Sequence, residues 1–193
     1  MKRKTLLSVR FVLMVAIVLA SSARATMVDG EYQGDWYGVR VKLPPQIPFC
    51  GGDDPPNNGV VLFLGRQTVD CDTVDQETAR TITLFGLPNS GEDAEIMALD
   101  AAYKYECRLF SGCTGAHPEI NVKDRHVRTG VIKHNPARIF VLFQQGDARV
   151  NGVDVHNTYN ITVTLQTDVA HQAEDMKVMK KFVASLHLFT PTN

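Results

Sequence analysis

The stretch Thr158-Tyr159-Asn160-Ile161-Thr162-Val163-Thr164-Leu165-Gln166-Thr167 alternates apolar and polar side chains without interruption. Successive side chains of a strand point to opposite faces, so Tyr159, Ile161, Val163 and Leu165 share one face and Asn160, Thr162, Thr164 and Gln166 the other. The first set is expected to face a core and the second to face outward. Before this strand, 127–133 and 138–144 carry two more strand patterns, and Gly146-Asp147 with Asn151-Gly152 mark the turn region between the second and third. That order predicts an antiparallel meander. After it, over 169–186, the apolar period lengthens to that of a helix. Ala173, Met176, Met179, Phe182, Val183 and Leu186 form one stripe, while Glu174, Asp175, Lys177, Lys180 and Lys181 are expected in water. Laying this C-terminal helix across one face of the sheet is the simplest way to bury the stripe.

The first half of the chain reads less regularly. Val39, Val41 and Leu43 alternate up to Pro44-Pro45 and predict a first strand. The loop 44–59 holds five of the nine prolines together with Gly51, Gly52, Asn57, Asn58 and Gly59, and no regular element is expected there. Short apolar runs at 60–64 and 81–85, bracketed by glycine, read as buried strands. Ser90 followed by Asp93 resembles a helix N-cap with an acidic first turn, predicting a helix to about Tyr105 with Ala94, Met97, Ala98, Ala101 and Tyr105 on one face. The whole is expected to be a layered α+β sandwich, a single domain with a mainly antiparallel sheet packed by about two helices.

The N-terminus reads as an export signal. Met1-Lys2-Arg3-Lys4 precedes an apolar run from Phe11 to Ala20, and Ala23-Arg24-Ala25 supplies small residues for cleavage after Ala25. The run is about half of the roughly 20 residues a membrane span requires, so no stable anchor is expected after cleavage. Residues 26–193 would form the globular domain, periplasmic or secreted. The signal carries five of the chain's 20 basic residues and none of its 21 acidic ones, which leaves 15 against 21, near −6. That charge disfavours nucleic acid as a partner, because phosphate binding needs a surplus of Lys and Arg. The acidic excess lies before Val122, and the segment from Lys123 onward is mildly basic.

Cys50, Cys71, Cys107 and Cys113 are an even set in an exported chain and predict two disulfides. Of the three possible pairings, Cys50–Cys71 and Cys107–Cys113 is favoured, since each pair bounds one turn-rich loop. The first would staple the loop 44–71. No CxxC or Cys/His spacing suited to a metal occurs, and no cofactor motif is visible.

Ser111 lacks the flanking pattern of a nucleophile elbow. His126, among Lys123, Arg125, Arg128, Lys133, His134 and Arg138, lies in a cationic stretch able to face an acidic partner. Asp53-Asp54, Asp70-Cys71-Asp72 and Asp75-Gln76-Glu77 cluster carboxylates, without the glycine and terminal glutamate of a calcium loop. Asn160-Ile161-Thr162 fits a glycosylation sequon. Tyr32, Trp36 and Tyr37 form an aromatic group expected to cap the core. The expectation is a non-enzymatic, inhibitor-like or immunity-like module that binds another protein through Asp53, Asp54, Asp70, Asp72 or Lys123, Arg125, His126 and Arg128. The alternatives are a hydrolase with a dispersed site, marked by His126, His134 or Ser111 beside a carboxylate in a pocket, and a carrier of a small ligand under the C-terminal helix.

Overall fold

The computed structural model describes residues 25–51, 59–90, 95–109, 112–114, 118–132, 136–150 and 152–191. Residues 1–24 of the expected signal peptide, Asp53, Asp54, Ser111, Lys133 and His134 lie outside them. Along the described chain run β1 (Ala25–Val28), β2 (Glu31–Gly34), β3 (Val39–Lys42), β4 (Phe49–Gly51), β5 (Gly59–Phe63) and β6 (Thr81–Pro88). Helix α1 (Leu99–Leu109) follows, then β7 (Val127–Ile132), β8 (Ala137–Val150), β9 (Val153–Thr167), α2 (Gln172–Ala184) and β10 (His187–Leu188). A six-stranded antiparallel sheet has the order β4-β5-β6-β9-β8-β7, and a smaller one the order β1-β2-β3-β10. This is an α+β single domain built mainly of sheet.

The large sheet has two unlike faces. On one, Ile82, Leu84, Ile139, Val141, Ile161, Val163 and Leu165 are buried against Met179, Phe182 and Val183 of α2 and against Val39, Val41 and Tyr32 of the small sheet. Tyr37 locks the two sheets together. A Cβ added at Gly34 or Gly86 would come within 2.5 or 2.4 Å of its ring, and its hydroxyl sits 2.6 Å from that of Tyr32. Burial, then the Tyr32 hydroxyl beside it, pushes the Tyr37 pKa well above the usual value. On the other face, α1 covers only β7 and β8, where Ala102 and Cys107 meet Ile132, Phe140 and Leu142.

Several expectations are corrected. Asp175, expected in water, is 1% exposed. Its carboxylate accepts from Arg80 Nε and Nη2 at 2.9 and 2.5 Å and from the Thr167 hydroxyl, which ties α2 to the sheet. Helix α1 begins at Leu99, not Ser90: the Asn89 and Gln144 side-chain amides each donate to the Met97 carbonyl at 2.9 Å, and 95–98 are not helical. It also runs four residues past Tyr105, and its inward side is Ala102 and Cys107; Ala101 and Tyr105 are exposed. The proline-rich loop does contain a strand, β4, since Phe49–Gly51 is free of proline and pairs with β5. Gly146-Asp147 is not a turn but a β-bulge with Gly146 at φ +92°, after which β8 and β9 continue as a two-stranded ribbon to the turn at Gly152. Cys50 is joined to Cys71 and Cys107 to Cys113, with Cα separations of 5.7 and 5.1 Å.

Candidate functional site

Where α1 stops covering the sheet, its face forms the floor of an open trough. The floor is Thr83 and Phe85 of β6, Thr162 and Thr164 of β9, and Arg138 of β8, with Phe140, itself buried under α1, at its edge. The β6 and β9 positions alternate with the buried residues of the same strands, as Thr83 paired to Thr164 and Phe85 paired to Thr162 require. Glu106 and Leu109 of α1 form one wall, and Gln76 and Glu77 the other. This central part holds about 390 Å³. It continues past Gln76, Thr83 and Phe85 into a hollow of about 380 Å³ beside Cys50, Cys71 and Asp72. On the other side it opens past Leu87 and Thr162 onto a broader shelf along α1, reaching Tyr105 and Arg108.

Both walls are fixed. Gln166 rises from β9 and donates through Nε2 to the carbonyls of Gln76, Glu77 and Ala79 at 2.9, 2.9 and 2.8 Å, while its Oε1 accepts from Arg138 Nε at 2.9 Å. Asp75 accepts from the Thr78 hydroxyl and the Glu77 amide, and those bonds draw its pKa below the ordinary carboxylate value. The C-terminal end of α1 is closed by the Cys107–Cys113 disulfide and by the Gly112 amide, which donates to the Cys107 carbonyl at 2.7 Å. Arg128 Nε donates to Asp100 at 2.5 Å, pins the start of the helix to β7 and lowers the Asp100 pKa. Glu106 differs from these acids. Burial alone pushes its pKa up.

The expected site residues are not brought together. Asp70 and Asp72 are exposed on the loop beyond β5, where the Asp70 carboxylate accepts the Asp72 amide, and only Asp72 reaches the trough's end. Lys123, Arg125, His126 and Arg128 are exposed before and on β7, at the opposite edge of the sheet. Five strand spacings, about 24 Å, separate the two groups. His126 lines a hollow of about 460 Å³ with Asp124, Arg125 and Gln144. No hydrogen bond joins His126 to Asp124 among the described residues, and no serine, threonine or cysteine lines that hollow. The space under α2 is filled by Met179, Phe182 and Val183. Asn160 of the sequon is tied inward: its Nδ2 donates to Asn89 Oδ1 at 3.1 Å and its Oδ1 accepts from Gln144 at 3.0 Å. The sequence reading missed Glu106 and the threonine floor. Their available signal was the pair Thr81-Ile82-Thr83 and Thr162-Val163-Thr164, polar positions on strands that prove to be central. No protein-family model and no curated protein matches the chain.

Proposed function

We propose that the protein is an exported, non-enzymatic binding module, inhibitor-like or immunity-like, that holds a segment of another protein in the trough over β6 and β9. The observation that carries this reading is the half-covered sheet face with both walls cross-linked, Cys50–Cys71 at one end and Cys107–Cys113 behind the other wall. A preordered surface loses little conformational entropy on association, and that favours binding over a surface that must first be ordered. The rim supplies exposed apolar anchors, Leu87, Tyr105 and Leu109, at 43, 49 and 58% exposure. Two disulfides fit an oxidising location, periplasmic or extracellular, and no helix among the described residues is long and apolar enough to cross a membrane.

Affinity capture from extracellular or periplasmic extract, run in parallel with wild type, Thr164→Trp and Leu109→Asp, tests it. The first substitution fills the floor, and the second charges an already exposed rim position and leaves the fold intact. Wild type should retain one stoichiometric protein in moderate salt that both variants lose at unchanged melting temperature. A partner retained equally by all three would overturn the reading.

A further inference from the structure

Resting on that reading, we propose that the segment held in the trough presents a lysine or arginine side chain to Glu106, with apolar neighbours seated on Leu87, Tyr105 and Leu109. The argument begins with charge. Among the described residues, Asp72, Glu77 and Glu106 line the central trough and the hollow beside Cys50, against one cation there, Arg138, whose Nε is already given to Gln166; Lys104 and Arg108 lie farther out on the shelf, with Asp100. An acidic trough selects a basic segment and repels an acidic one.

Glu106 is the acid with most to gain. Of the other acids near the walls, Asp75 takes the Thr78 hydroxyl and the Glu77 amide, Asp100 takes Arg128, and Asp72 and Glu77 are exposed to water. Glu106 is half-buried, and among the described residues no hydrogen bond or ion pair reaches its carboxylate. A partly desolvated carboxylate without a partner raises the energy of the free protein, and an incoming ammonium or guanidinium relieves it while losing little of its own hydration at an open trough. Burial raises the Glu106 pKa, as a site lacking its counter-charge should.

The surroundings of Glu106 set what flanks the cation. Leu109 follows one helical turn on, Tyr105 is its neighbour on the shelf side, and Leu87 faces α1 across the gap. A basic residue between apolar ones matches that order. A long aliphatic stem ending in a charge would also lie along the partly exposed Phe85 before reaching the carboxylate.

The test uses a displayed library of random linear peptides, selected on the purified protein with both disulfides formed. Selected peptides should be enriched in Lys or Arg flanked by apolar residues, and Glu106→Gln should weaken them by about tenfold, the scale of one charge-assisted hydrogen bond. Replacing the peptide's basic residue by norleucine should cost the same factor in wild type and nothing further in Glu106→Gln. Peptides that lose binding in Thr164→Trp yet show no basic enrichment, or ignore Glu106→Gln, would overturn the inference and leave the trough reading standing. If no peptide is selected, or if those selected still bind Thr164→Trp, both fail. Glu77→Gln, at the opposite wall, is the control for general charge and should change affinity less than twofold.

Discussion

Leu165 and Thr164 are neighbours on β9, and they belong to different surfaces. Leu165 is fully buried between the sheet and α2, as are Val163 and Ile161 beside it, whereas Thr164 lies partly exposed on the floor of the trough. The same contrast holds along β6, where Ile82 and Leu84 alternate with Thr83 and Phe85. The trough face is itself divided. Where α1 covers it, the side chains are Ile132, Phe140 and Leu142; where nothing covers it, threonines dominate. Composition therefore follows cover at the level of single alternate positions. A floor of threonine with Phe85 presents methyl and ring surface without a large apolar patch, and under the proposed binding role that suits a contact that forms and releases rather than a permanent one.

The comparison is broken most severely through the covered face. Leu165→Ala should cost about 3 kcal/mol in denaturant unfolding, because it opens a cavity in a packed core, whereas Thr164→Ala should cost less than about 1 kcal/mol. Equal costs at the two adjacent positions would mean that the trough floor is packed after all. Next comes the strut that holds α2 to the sheet. Asp175→Ala leaves Arg80 without its carboxylate at 20% side-chain exposure and should lose about 3 kcal/mol, and much less if the pair were open to water. On the trough side, Cys107→Ser with Cys113→Ser should lose about 2 kcal/mol by the chain-entropy estimate and speed amide exchange at the end of α1, leaving β9 protected.

Glu106→Gln should give the smallest change. Its folded-state pKa is raised, so the folded chain binds that proton more tightly than the unfolded one, and ionisation at neutral pH disfavours the fold. The glutamine variant should therefore be slightly more stable than wild type at neutral pH. That gain should shrink as pH falls through the raised folded pKa towards the ordinary carboxylate value, and unfolding curves at matched pH measure it. The charged neighbours lining the same trough, Glu77 and Arg138, remain in both proteins and cancel in the difference.

The covered face was legible because it obeys one local rule. Alternation over 158–167 placed Tyr159, Ile161, Val163 and Leu165 inward, and all four are buried; helical spacing likewise picked out Met179, Phe182 and Val183. What escaped depends on residues distant in sequence. Asp175 is read as a wet helix position because its partner Arg80 lies 95 residues away. Ser90 and Asp93 carry the local signal of a helix start, but the helix begins only at Leu99, past Met97, whose carbonyl accepts from Asn89 and Gln144. The trough was hidden for the same reason. Outward threonines say which face a side chain takes, and whether that face is covered depends on where α1 ends and where Gln166 pins the opposite wall. Charge clustering along the chain pointed to the two edges of the sheet, whereas the one half-buried acid without a partner among the described residues sits alone in its stretch of sequence, between Tyr105 and Cys107.

Hydroxyl-radical footprinting of the protein with and without its captured partner addresses the central claim most directly. The account predicts protection of Phe85, Leu87, Tyr105 and Leu109, with Val153 on the β8–β9 ribbon and His126 beside β7 unchanged. Protection confined to Val153, or to His126 and its basic neighbours, with the trough side chains still fully reactive, would contradict it.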